Sequence, residues 1–281
     1  MHYIYGAYVD EKTPQISITD LGFLRGYGIF EYLRTYRKKP FHLKDHLTRL
    51  FHSAEMFELK VPHSREEIEH VVNHLLKKVP YEETALRLIV TGGESEQGAL
   101  LQDSSPTFAV LTSPLPQYNQ SLYSEGIHVA TTTLERSFPS VKTLYYAPAI
   151  VAMRRSPWKD IKEVLYLDSQ KHILEASTSN FFAVKNGTIL TAPSSANILP
   201  GITRKVVLQL AHTMFPVEER LFSLNELFTC EECFITSSTR EVMPVVRIDG
   251  TRIGKGAPGE VSKNISKIFN SHVNKWAHSE V

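Results

Sequence analysis

The chain has 281 residues, 42% hydrophobic and 22% charged, a balance that excludes a disordered chain and leaves room for two lobes of ordinary size. A formal charge of +1 gives no electrostatic case for a nucleic-acid or membrane partner, and no apolar run approaches the ~20 residues that span a bilayer. The opening "MHYIYGAYVDEK" reads as a short hairpin without the basic segment or apolar core of a signal, so the expected location is the cytoplasm.

In chain order, "YIYGAYV" and "ISI" read as strands, and "IFEYLRTYRKKPFHL" as a β-rich run through a turn at Lys38-Lys39-Pro40. "KDHLTRLFHSAEMFEL" then sets Leu47, Leu50, Phe51, Ala54 and Phe57 on one helical stripe, with Arg49 off it. Ser64 and Glu67 form a capping box for a second helix that turns Ile68, Val71, Leu75 and Leu76 inward. Strands in "ALRLIVTGG" and "TFAVLTSP" close a smaller N-terminal α/β domain, residues 1–114. The segment "SPLPQYNQS" supplies a linker over 115–121 and a larger C-terminal domain follows over 122–281. That domain opens with the strand "GIHVATTTLE", then a helix-like run after Lys142, then short strands from "EVLYL" to "ILTAP" with a hairpin turn at Asn186-Gly187. A helix after Pro200-Gly201 carries Val206, Val207, Leu210 and Ala211; "LNELF", a strand "ECFITSSTREVMPVVRIDG" and a closing helix complete the chain. This is a mixed α and β chain with antiparallel pairing.

Several tempting patterns make no site. "GYG" lacks the later glycine of a dinucleotide loop, and His70 with His74 lack the glutamate and third ligand of a zinc site. "TSSTR" lacks the GxSxG elbow of a serine nucleophile. Cys230 and Cys233 have no second pair with which to hold zinc and read as incidental thiols, so no metal is expected.

Three other features share one chemistry. "ILPGITRKVVLQL" leads a Pro-Gly turn into a helix whose first N–H groups, at Ile202 and Thr203, suit an anion. "ITSSTREV" ends in four hydroxyl residues, Thr236 to Thr239, that can serve the same anion, and Arg49 can add a positive fork. Each alone reads as a cap or a surface residue. With Lys142 at the head of "KTLYYAPAIVAMRRS" and the isolated acid Glu175, they describe a pyridoxal 5'-phosphate site. A lysine amine forms the imine and moves protons, and a carboxylate facing the ring nitrogen makes the ring an electron sink.

Arg49, Glu175, Ile202, Thr203, Ser238 and Thr239 lie in long blocks that resemble the class IV, or fold-type-IV, pyridoxal phosphate enzymes: branched-chain aminotransferases, D-amino acid aminotransferases and aminodeoxychorismate lyases. "RGYGIFEYLRTYRKKPFHLKDHLTRL", "EASTSNFFAVKNGTILTAPSSANILPGITR" and "SSTREVMPVVRIDG" with "GKGAPGE" are similar to the family's blocks in the same order. The resemblance implies a two-domain α/β (α+β) fold like that of D-amino acid aminotransferase, and a homodimer. It implies that Lys142 is the Schiff-base lysine and Glu175 the partner of the ring nitrogen. Arg49, Ile202, Thr203, Ser238 and Thr239 would hold the phosphate and Leu199 would pack beneath the ring. Tyr146 would stand near the ring hydroxyl, a role weighed evenly against that of a core aromatic.

Within the family, "FEYLR" is similar to the FEGxR of branched-chain enzymes, which makes Phe30 and Arg34 substrate residues, with Tyr32 narrowing the pocket. Arg87 is spaced like another pocket arginine, and a strand-end salt bridge explains it equally well. D-amino acid aminotransferases carry an arginine where this chain has Gly92; the lyases typically do too, with an Asn-Arg pair a few residues after the lysine, where this chain reads Thr-Leu-Tyr-Tyr. The expected activity is therefore amino transfer from an L-branched-chain or similar amino acid to 2-oxoglutarate. The alternatives are 4-amino-4-deoxychorismate lyase, giving 4-aminobenzoate and pyruvate; a D-amino acid aminotransferase; and a vitamin B6-binding protein without turnover.

Overall fold

The computed structural model describes residues 1–96 and 105–279. The chain splits into two compact units, Met1–Pro116 with Val141–Tyr146, and Gln117–Ser140 with Ala147–Val281. The Lys142 segment thus joins the first unit, although in sequence it lies beyond the expected linker.

In the first unit, β1 (His2–Ile4) and β2 (Ala7–Val9) form the opening hairpin. "ISI" forms no strand: the Ser17 hydroxyl bonds Thr19, and Ser17 N–H donates to the Tyr5 hydroxyl, local bonds that compete with a ladder. A short helix α1 (Leu21–Arg25) follows, capped by Asp20. The turn between β3 (Gly28–Tyr36) and β4 (Lys39–Pro40) falls on Arg37 and Lys38, both at positive φ, rather than on Lys38 to Pro40. Pro40 is already in the edge strand, where a missing N–H is tolerated. Helices α2 (Leu43–Met56) and α3 (Arg65–Lys78) come next, α3 with its capping box formed. β5 (Thr84–Thr91) and β6 (Thr107–Pro114) complete an antiparallel sheet ordered β2-β1-β6-β5-β3-β4.

Along β3 the side chains alternate: Ile29, Glu31, Leu33 and Thr35 are buried, whereas Phe30, Tyr32, Arg34 and Tyr36 are half-buried on the other face. α2 packs on β3, and its buried residues include His46 and Arg49. Arg49 therefore does not lie off the packed face: at 7% exposure it belongs to it, and a polar partner inside the core explains why.

The second unit holds α4 (Ser121–Ser124), β7 (Ile127–Thr133), α5 (Ala147–Arg155), β8 (Glu163–Leu167), β9 (Ile173–Ala176), β10 (Asn180–Lys185) and β11 (Thr188–Thr191). It continues with α6 (Ile202–Ala211), β12 (Val217–Glu219), α7 (Leu224–Leu227), β13 (Glu232–Ser237), β14 (Glu241–Ile248), β15 (Thr251–Arg252) and α8 (Glu260–His278). The sheet runs β12-β11-β10-β13-β14-β7-β8-β9, with β15 on β14. Its pairing is mixed, since β7 lies parallel to both β14 and β8. Residues 232–248 are two strands, not one: the ladder stops after Ser237, turns through 238–240, and resumes at Glu241 with positive φ. α6 and α8 pack against each other and on β13.

No helix among the described residues is long and apolar enough to cross a membrane. No cluster of three metal-ligating side chains occurs among them.

Candidate functional site

In the first unit the Lys142 segment adds to β3: Phe30 N–H donates to Lys142 O at 2.9 Å, and Leu144 N–H to Gly28 O at 2.9 Å. This fixes the backbone from the Lys142 carbonyl to Leu144, on either side of Thr143, and the Lys142 Nζ lies 4.6 Å from the centre of the Phe30 ring. Tyr146 packs on Phe30 too, with ring centroids 5.9 Å apart. Arg87, exposed and directly across the ladder from Tyr32, stands 5.1 Å from that ring and 5.7 Å from Phe30. Phe30, Arg87, Lys142 and Tyr146 are thus together. Tyr32, Arg87, Ile89, Ala109 and Leu111 also line a cavity of about 500 Å³ on this sheet. Arg34 stacks on Tyr36 at 4.1 Å and donates to Thr35 O.

Arg49 meets Glu31. Its Nε and Nη2 donate to the two carboxylate oxygens at 2.7 Å each, and His46 Nδ1 bonds Oε2 at 2.6 Å. Burial drives the Glu31 carboxyl upward, but the Arg49 charge and hydrogen bonds, with those of His46, outweigh it and leave it at about 2. Burial lowers His46 from its ordinary value more than Glu31 raises it, and because an ionised carboxylate can only accept, Nδ1 is the donor of their bond.

In the second unit Glu175, at the end of β9 and 5% exposed, takes Asn180 Nδ2 and Leu199 N–H on Oε2, each at 3.1 Å, and Arg136 on Oε1. Asn180 Nδ2 also donates to Leu199 O at 2.9 Å, tying the acid to the Leu199 backbone. Two residues on, Gly201 caps α6 without a side-chain bond; a Cβ there would lie 1.9 Å from Asn180 Oδ1. The first helical bond runs from Lys205 N–H to Gly201 O, so the N–H groups of Ile202 and Thr203 have no carbonyl of the helix to serve. Both residues are buried.

Thr236 is paired with Asn180 across the β10–β13 ladder, and its hydroxyl is buried with no hydrogen-bond partner. Ser238 and Thr239 are half-buried in the following turn, where Thr239 Oγ1 meets Tyr118 OH at 3.3 Å. Arg240 anchors that turn by pairing with buried Glu163 and donating to Thr178 Oγ1. Glu163 also accepts from Ser177, Thr178 and Ser179, the loop that follows Glu175.

Sequence reasoning names neither Glu31, His46, Arg136, Asn180 nor Glu163. Glu31 lies inside the quoted FEYLR and Asn180 inside EASTSN, so position within the blocks is the one signal that could have found them. Cys230 and Cys233 are free and buried; burial raises Cys230 to about 11 and Cys233 well above its ordinary value, which fits inert thiols.

A fold of two mixed units with these buried acids and anchored turns is that of the class IV aminotransferases. Residues 28–248 match the family described as Amino-transferase class IV, and the chain belongs to it, a family dependent on pyridoxal phosphate. A Methanocaldococcus jannaschii protein named "Putative branched-chain-amino-acid aminotransferase" is 34% identical over 98% of this chain and 96% of its own. The D-alanine aminotransferase of Listeria monocytogenes is 27% identical over 93% of this chain and 92% of its own. In fold, the chain resembles the branched-chain aminotransferase of the archaeon Thermoproteus uzoniensis, solved with norvaline. The TM-score is 0.87 at 24% identity, covering 99% of this chain and 95% of that one.

Proposed function

We propose that the protein moves the amino group of an L-branched-chain or similar apolar amino acid to 2-oxoglutarate, using pyridoxal phosphate in a homodimer. The observation that carries the substrate class is the 34% identity, over nearly the whole of both chains, to the protein named for branched-chain amino acids. The chain's own Gly92 supports the choice against D-amino acids. A Cβ at that position would sit 2.6 Å from the Tyr27 ring and 3.0 Å from Leu21, so an arginine there needs the surrounding packing to move.

The donor set fits the cofactor. Thr236 keeps an unspent buried hydroxyl beside Asn180, Gly201 leaves the α6 start open, and Glu175 is a buried acid. On this reading Ile202, Thr203, Ser238, Thr239 and Arg49 hold the phosphate, Glu175 faces the ring nitrogen, Leu199 packs beneath the ring and Tyr146 stands by its hydroxyl. Bound pyridoxal phosphate supplies an aldehyde and an electron-accepting ring. Lys142 would supply the amine that holds the cofactor, and its Nζ would move the proton at the substrate α-carbon. The bond from Phe30 N–H to the Lys142 carbonyl, with that from Leu144 N–H to Gly28 O, holds the backbone that carries this amine. Phe30, Arg34 and Arg87 shape the substrate's surroundings, with Tyr32 limiting side-chain size.

The test is a half-reaction scan by visible spectroscopy, with single L- and D-amino acids and no acceptor. An L-branched-chain donor should convert the cofactor band to the aminated form, and Lys142→Ala should abolish this. A response to D-alanine alone would overturn the substrate class. Pyruvate release from aminodeoxychorismate with no response to any amino acid would overturn amino transfer itself.

A further inference from the structure

β3 sends two consecutive residues to opposite faces of its sheet. Phe30 meets Lys142, while Glu31, fully buried, takes Nε and Nη2 of Arg49 and the His46 Nδ1–H. His46 and Arg49 are three residues apart on α2, so one turn of helix delivers both to the same carboxylate. A guanidinium is planar, and two parallel bonds to one carboxylate fix its orientation, which a lysine ammonium could not reproduce. The His46 bond to Oε2 in turn restrains rotation of the carboxylate.

We propose that Glu31 and His46 are positioning residues for Arg49, holding its guanidinium in the orientation that receives the cofactor phosphate. The proposal rests on the reading of Arg49 as a phosphate anchor. It makes a prediction opposite in sign to simple electrostatics. Removing the negative charge of Glu31 beside an anion site should strengthen phosphate binding if charge were all that mattered. If orientation governs, the same change weakens it.

The experiment titrates apoprotein with pyridoxal phosphate and, separately, with pyridoxal, which lacks the phosphate, following the visible band. Glu31→Gln should weaken pyridoxal phosphate binding by about ten- to a hundredfold, the scale for removing a group that orients a ligand's partner, and leave pyridoxal unchanged. His46→Asn should give a smaller loss with the same selectivity. In an Arg49→Ala background, Glu31→Gln should add nothing. Equal or tighter binding of pyridoxal phosphate by Glu31→Gln overturns the proposal, and so does an equal loss of both ligands. Should Glu31→Gln fail to fold, as a buried unpaired arginine can cause, His46→Asn decides on the same two ligands. If Arg49→Ala keeps full pyridoxal phosphate affinity, the phosphate reading of Arg49 is wrong, an outcome distinct from failure of the positioning role.

Discussion

At Gly201 one missing methyl holds a chain of contacts in place. Its φ of −69° suits any residue, so backbone freedom is not why glycine stands there. The reason is steric: a Cβ would lie 1.9 Å from Asn180 Oδ1 and 3.1 Å from Asn180 Cγ. Asn180 can yield only by releasing Glu175 and Leu199 O, which share its Nδ2. Gly201→Ala is therefore expected to destabilise the protein by about 1–3 kcal/mol, as overpacking does, in urea unfolding. In an Asn180→Ala background the penalty should largely vanish; full additivity of the two changes would show that the clash lies elsewhere. The same scale shows the limit of what is legible. Glu175 and the α6 start stand out in sequence through long blocks, and Lys142 through the chemistry that the other residues imply. Glu31, Asn180 and Arg136 do not, because a buried polar partner follows no period and its role depends on where a side chain three or more residues away ends up.

Elements with a local cause are readable and those set by distant pairing are not. The capping box of α3 is legible because Ser64 and Glu67 satisfy each other's backbone N–H within one turn, at 3.2 and 2.7 Å. Ser64→Ala should cost about 1 kcal/mol in the unfolding free energy; no change would mean that tertiary packing alone sets the helix start. "ISI" misleads because its alternation suits a strand, yet among the described residues no strand pairs with it. The run 232–248 looks continuous because β-formers flank its polar centre. The break comes from Arg240, which turns away to pair with Glu163. Along β13, Cys233 shows how an element shields a reactive group. Facing the core at 2% exposure, with Cys230 at 3%, neither should react with a disulfide reagent at pH 8 in the folded protein, and both should after unfolding. Rapid labelling of the native protein would contradict the burial of this strand.

For the molecule as a whole, the fold class is legible in the alternation of helical and strand patterns, whereas the return of Val141–Tyr146 to the first unit is not. No local pattern marks a segment as belonging with residues more than a hundred positions earlier; the β3 ladder does that by pairing Ile29 with Thr143. The buried network beneath that ladder gives the whole protein a pH dependence. Glu31 is held at about 2, below its ordinary 4.5, and His46 below its ordinary 6.5. As pH falls, the unfolded chain takes up these protons before the folded one does, so stability rises with pH and declines on acidification. The decline begins below about pH 6.5 through His46 and extends through Glu31 from about 4.5 toward 2. His46→Asn should flatten the first part of that decline, by at most about 1.4 kcal/mol per pH unit for a single proton, in urea unfolding at pH 7.5, 6.5 and 5.5. Parallel slopes for the two proteins would mean that His46 keeps its proton in the fold, and that Glu31 faces two cations rather than one.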